Sequence, residues 1–157
     1  MPKSNQIGFL VKDMMASQLS FNLIKNINDY IKDKDDDVVL FFENATSSVL
    51  TPNFSLMSIS EIWNFSGSLF ATNIFTALSM QKAFAPKNKL FYVWDLEWTR
   101  AHGKDFEFVI QAFSDENTTL IARSDEHAKA IENYCNRSVS NIVSDFNIEQ
   151  LARISNE

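Results

Sequence analysis

The chain is poor in the residues that build most small catalytic sites. It has one cysteine, Cys135, two histidines, His102 and His127, and three glycines, Gly8, Gly67 and Gly103. A single thiol closes no internal disulfide, and two separated histidines beside it give no zinc-ligand spacing. Three scattered glycines leave neither a GxGxxG fingerprint nor a phosphate-cradling P-loop. No bound cofactor or metal is therefore expected. Positive charge is short too. Lys and Arg number 14 against 20 Asp and Glu, a formal net charge of −6, which argues against a whole-protein electrostatic grip on nucleic acid. No apolar run approaches the roughly 20 residues that span a bilayer. The start, Met1-Pro2-Lys3-Ser4-Asn5-Gln6, is polar with no long apolar segment behind it, so the chain is expected in the cytoplasm and off the membrane.

What is present is a core former. At 157 residues, 45% hydrophobic and with 14 Phe, the chain is expected to make one domain, 1–157, with rings filling its interior. Its centre is Leu90-Phe91-Tyr92-Val93-Trp94-Asp95-Leu96-Glu97-Trp98-Thr99-Arg100. The continuous apolar start of that stretch, after the breaker Pro86, predicts a strand buried on both faces of a parallel sheet. Similar runs at 7–11 and 38–42 predict two more strands, and 54–59, 118–122 and 139–143 three further ones. Between them, helical spacing predicts helices over 19–31, 69–84, 106–113, 128–135 and 148–154. Strands alternating with helices make an α/β three-layer sandwich, a doubly wound, mostly parallel, Rossmann-like sheet. The helix over 69–84 is apolar around most of its circumference, which calls for a second neighbour, either another helix or another copy of the chain.

Asp95 follows the central strand, at the edge where ligands collect in open α/β sheets. A carboxylate there is either a turn-former accepting backbone N–H groups or a general base in a partly dry crevice. Glu97 and Arg100 lie close enough in sequence to pair with it. Trp94 and Trp98 offer flat faces for sugars or bases to stack on, with core packing the competing reading, more so for Trp94. Ser66-Gly67-Ser68, ahead of the apolar run, reads either as a plain N-cap or as a helix start approached by an anion. Arg100, His102, Lys104, Arg123, His127 and Lys129 fall in segments that could share a basic rim. His127, in a first helical turn after the cap Ser124, reads as solvent-facing, and Cys135 as core.

Several stretches together resemble a known family. Asn64-Phe65-Ser66-Gly67, Ala77-Leu78, Gln81-Lys82-Ala83-Phe84 and Lys89-Leu90-Phe91-Tyr92-Val93-Trp94-Asp95 look like the matching stretch of phage DNA β-glucosyltransferases. Leu120-Ile121-Ala122-Arg123-Ser124, Val139-Ser140-Asn141-Ile142-Val143 and Phe146-Asn147-Ile148-Glu149-Gln150 resemble the close of the amino-terminal half of such two-domain GT-B enzymes. The resemblance covers about residues 60 to 150. It implies that Asp95 is the base that deprotonates an acceptor hydroxyl. For a sugar or nucleic-acid acceptor, the candidate substrate contacts are Ser66, Gly67, Trp98, Arg100, Arg123 and Ser124. It also implies a nucleotide-sugar donor held by a second domain, for which this chain has no room. A phage origin would put the protein in host cytoplasm.

Three expectations follow. The chain is the acceptor-side half of a split glycosyltransferase, its donor half a separate subunit or another copy docked on the helix over 69–84. Alternatively it is an inactive transferase-like module for binding or assembly. In the third, it is a small flavodoxin-like ligand-binding protein.

Overall fold

The computed structural model describes residues 5–157, so the polar stretch Met1–Ser4 lies outside the described residues. Seven strands form one sheet, parallel throughout: β1 (Gln6–Val11), β2 (Asp37–Phe42), β3 (Ser55–Ser58), β4 (Ser68–Ala71), β5 (Asn88–Tyr92), β6 (Thr119–Ala122) and β7 (Asn141–Ile142), in the order β3-β2-β1-β4-β5-β6-β7. Five α-helices connect them: α1 (Gln18–Tyr30), α2 (Ile74–Lys82), α3 (Asp105–Ser114), α4 (Asp125–Cys135) and α5 (Ile148–Ser155). This is the expected α/β, doubly wound, Rossmann-like sandwich. The order reverses between β1 and β4, which makes their carboxyl ends the topological switch point.

Alternation along each strand builds two cores. Ile7, Phe9, Phe70, Leu90, Tyr92 and Ile121 face α1 and α5. Leu10, Phe41, Leu69, Phe91, Leu120 and Ala122 face α2, α3 and α4. Both faces are covered, which is why the central strands read as unbroken apolar runs. Gly8 belongs to this packing, because a Cβ there would come within 2.6 Å of Leu69 and 2.8 Å of Phe41. Its missing side chain lets the Phe41 and Phe65 rings meet edge-on at 5.3 Å.

The helix expected over 69–84 is a correction. Leu69–Ala71 belong to β4, fully buried between β1 and β5, and the helix begins only at Ile74. A capping box starts it: the Asn73 side chain accepts the Thr76 N–H at 2.8 Å, and the Thr76 hydroxyl accepts the Asn73 N–H at 3.1 Å. Thr72 ties this junction to β1 by donating to the Leu10 carbonyl at 2.7 Å. A short buried strand abutting a helix without Gly or Pro between them imitates one all-round apolar helix. The apolar excess of 69–71 is satisfied by the sheet and calls for no partner. Phe75 and Phe84 do remain exposed. The strand expected near 54–59 is β3, an edge strand with all four residues exposed. Among the described residues no helix is long and apolar enough to cross a membrane.

Candidate functional site

The carboxyl ends of β5 and β6 gather the charged and aromatic groups. β5 pairing runs on through Val93, whose N–H donates to the Ile121 carbonyl at 2.9 Å. The chain then leaves the sheet at Trp94 and Asp95 and closes a single 3-10 turn over Glu97–Thr99, stapled by the Thr99 hydroxyl on the Leu96 carbonyl at 2.7 Å. Asp95 is exposed and forms an ion pair with Arg100, itself exposed. A pair this wet contributes about 0–1 kcal/mol to stability. Its effect is to hold both groups in one place on the rim.

Trp94 and Trp98 are both half-buried. Trp98 stacks on Tyr134, with ring centroids 4.3 Å apart and planes 5° apart, and meets Phe113 edge-on at 5.4 Å. One of its faces is therefore already covered. Trp94 stacks on Phe146 at 4.9 Å, and the Arg123 guanidinium lies 3.7 Å from its ring centre. Arg123 also donates from Nη1 to the Trp94 carbonyl at 3.0 Å. This cation–π contact ties the β6 exit to the β5 exit. Ser124 caps α4 by accepting the His127 N–H at 3.2 Å.

Ser66 and Gly67 stand elsewhere. They precede β4 at the amino ends of the strands, beside Gln6, Lys87 and Asn156. Ser68 pairs with Asn88, and Asp95 lies beyond the far end of that strand, so the separation along the strand is roughly 20 Å at 3.3 Å per residue. Asp95, Trp98, Arg100, Arg123 and Ser124 share one edge, and Ser66 with Gly67 occupies the opposite one. The helix start expected after Ser66-Gly67-Ser68 is a strand start. Gly67 is needed for close approach, because a Cβ there would lie 2.2 Å from the Gln6 carbonyl oxygen.

Two groups of the rim escaped the sequence reading. Glu97 does not pair with Asp95. Its Oε1 accepts the N–H of Ile74 at 3.1 Å, a free donor in the first turn of α2 at the switch point. Burial pushes its carboxyl from the ordinary 4.5 up to about 7, opposed by the Ile74 hydrogen bond and by Arg100 and reinforced by Asp95. His127 is half-buried rather than solvent-facing, and its Nδ1 is enclosed without a hydrogen-bond partner. Burial and then Arg123 lower its pKa, with Asp95 acting the other way. A short capping side chain is visible in sequence, but a glutamate that caps a helix 23 residues earlier in the chain is not.

Glu97 has a measurable consequence. Below pH 4.5 its carboxyl is neutral in both folded and unfolded chains. Between about 4.5 and 7 the unfolded chain ionises while the folded one keeps its proton, so stability falls as pH rises through that window and levels above it. Discounted for its partial exposure, the loss is about 2 kcal/mol. Glu97→Gln keeps an acceptor for Ile74 and removes the titration. Urea denaturation from pH 4 to 8 is expected to show the wild type losing stability relative to the variant across that range. Parallel pH profiles would remove Glu97 from the account.

Beside Glu97 a cleft of about 190 Å³ opens between α2 and α3, walled by Ile74, Phe75 and Phe108 and edged by Asp105 and Arg100. Among the described residues no cluster of three or more His, Cys, Asp or Glu could hold a metal ion. No protein-family model matches the chain, no curated protein matches it, and no solved structure matches it.

Proposed function

We propose that the chain is a glycosyltransferase-related domain, the acceptor-side half of a split GT-B sugar transferase with Asp95 as general base. The observation that carries this reading is the position of Asp95: an exposed carboxylate leaving a central strand at the carboxyl edge of a Rossmann-like sheet, oriented by Arg100. A hydroxyl brought to Asp95 gives up its proton to the carboxylate as its oxygen attacks the anomeric carbon of a nucleotide sugar. The bond from that carbon to the nucleotide phosphate breaks, and the nucleotide leaves. Arg100 and Arg123 put positive charge on the same rim, and Arg123 pairs with no carboxylate among the described residues. The donor half is a separate polypeptide or subunit in this reading.

The test is nucleotide release by the complex pulled from native host extract, against a panel of nucleotide sugars. Asp95→Asn is expected to lower release by about a hundredfold or more and to leave the unfolding midpoint nearly unchanged, since it removes only an exposed pair. Release that is indifferent to Asp95 overturns the assignment. A second reading, an inactive binding module, is favoured by the cover Tyr134 gives Trp98. It predicts that a sugar or oligonucleotide acceptor binds at the rim without turnover.

A further inference from the structure

The two edges of the sheet are unlike. β7 is two residues long, whereas β3 lies on the other edge with Ser55, Leu56, Met57 and Ser58 all exposed. Its pairing with β2 is unbroken from Val39 and Ser55 to Phe42 and Ser58, so no bulge turns it away, and it contains neither proline nor a charged residue. Edge strands are commonly guarded by those devices or by a covering element, because their outer row of N–H and C=O groups is a template for another strand. β3 has only its shortness as a guard.

The segment that contains this edge is neutral. Asn44 to Ser60, 17 residues, include no charged side chain, in a chain that is 22% charged and has a formal net charge of −6. Leu56 aligns with Leu40 on the α1 side of the sheet and Met57 with Phe41 on the α2 side, and the two are 38% and 43% exposed. The edge therefore offers a row of backbone groups with one large apolar side chain on each face. What completes it is a neutral strand with a free edge and an apolar residue on each face, and β3 of a second copy is such a strand. Net charge makes two copies repel, and at β3 they can meet without laying acid against acid.

We propose that two copies of the chain pair through β3, antiparallel across a two-fold axis, and join their two seven-stranded sheets into one. Such an axis sets residues of the same face opposite each other, so either Leu56 or Met57 stands directly across from its own copy. Glu61, the first acid after the strand, is carried to opposite ends of the pair by the antiparallel arrangement. Four residues a side bury less than the roughly 1,200 Å² of lasting interfaces, so the dimer is weak and forms at high concentration. Nothing in this inference rests on the transferase reading, and it holds for an active or an inactive domain.

The experiment is sedimentation of the full chain over a concentration series reaching about 1 mM, with Leu56→Lys, Met57→Lys and, as a control on the other edge, Ile142→Lys. Wild type is expected to show a monomer–dimer equilibrium. Added salt should strengthen it, because no ion pair crosses a neutral strand while screening relieves the repulsion between copies. Each β3 lysine, brought near its copy, is expected to weaken association about tenfold or more, and Ile142→Lys to leave it unchanged. All three positions are exposed, so unfolding midpoints are expected to stay close to wild type. In a Cys135→Ser background, Leu56→Cys or Met57→Cys is expected to join two chains through a short thiol crosslinker, and Ile142→Cys is not.

A chain that stays monomeric throughout the series overturns the proposal and leaves the edge to a strand from another protein. A dimer indifferent to both β3 lysines overturns it too, as does one that salt weakens or one that Ile142→Lys abolishes. So does the failure of both β3 cysteines to crosslink.

Discussion

Phe146→Ala is expected to cost about 3–5 kcal/mol, the usual loss for emptying a buried aromatic site. Phe146 is fully buried, with its ring 4.4 Å from that of Tyr92 and 4.9 Å from that of Trp94. Its backbone has φ of 50°, and Asp145 before it has φ of 51°. Two consecutive non-glycine residues in the left-handed region persist only where the surroundings hold them. Here the Asn26 amide donates to the carbonyls of Asp145 at 2.6 Å and Phe146 at 3.0 Å, while Tyr92 Oη donates to the Val143 carbonyl at 2.5 Å and accepts the Phe146 N–H at 3.3 Å.

Removing the ring leaves a cavity beside these strained residues and takes one face of Trp94 out of contact. The Arg123 stack on the other face should loosen with it. Domains of ordinary stability hold only about 5–15 kcal/mol in total, so this variant is expected to lie near the edge of folding. Urea denaturation measures the loss, and Trp fluorescence reports the change at Trp94. A loss under about 1 kcal/mol, within the range of surface substitutions and weak contacts, would mean that Phe146 is not clamped as described.

The second large effect is at Gly67. An alanine Cβ there meets backbone, 2.2 Å from the Gln6 carbonyl oxygen and 2.8 Å from its carbon. Backbone cannot swing away as a side-chain tip can, so β1 and β4 must part locally. Gly67→Ala is expected to cost about 3 kcal/mol, the upper range for overpacking. Gly103 supplies the control. It has φ of 59° but open space around its Cβ position, so Gly103→Ala should cost about 1 kcal/mol, from backbone strain alone. Comparing the two unfolding midpoints separates steric exclusion from strain. Equal losses would mean the sheet accommodates the extra atom, and would leave the glycine open to another explanation, such as contact with a ligand at the amino edge.

Gly67 also shows why the candidate site divided. Read as the start of a long helix, Ser66-Gly67-Ser68 belongs on the same edge as Asp95, because in this fold helices begin where strands end. Read as the start of β4, it belongs on the opposite edge. Nothing local separates the two readings, since Leu69, Phe70 and Ala71 suit either element. The one cue was Asn73 three residues before Thr76, a helix-start pattern inside the apolar run. The position of Asp95 was legible for the converse reason: five apolar residues flanked by a breaker and an acid leave little besides a buried strand with a polar exit.

Glu97 and His127 were illegible for a different reason. Each is affected by a segment distant in the chain, Glu97 by the first turn of α2 and His127, besides its near neighbour Arg123, by Asp95 in the loop after β5. Burial by a distant element changes the proton affinity of a carboxyl or an imidazole without leaving any pattern around it.

The sequence by itself determined the alternation of strands and helices, the parallel sheet buried on both faces, and the acid at the end of β5. These follow from hydrophobic period and composition, which each segment carries whatever its neighbours are. Only the tertiary structure decided that Ile7 lies beside Ser68, that the order reverses between β1 and β4, and that Glu97 is the carboxyl placed on the α2 terminus. Strand order and burial are set by contacts between residues far apart in the chain, and such contacts exist only once the whole sheet has closed around its two cores.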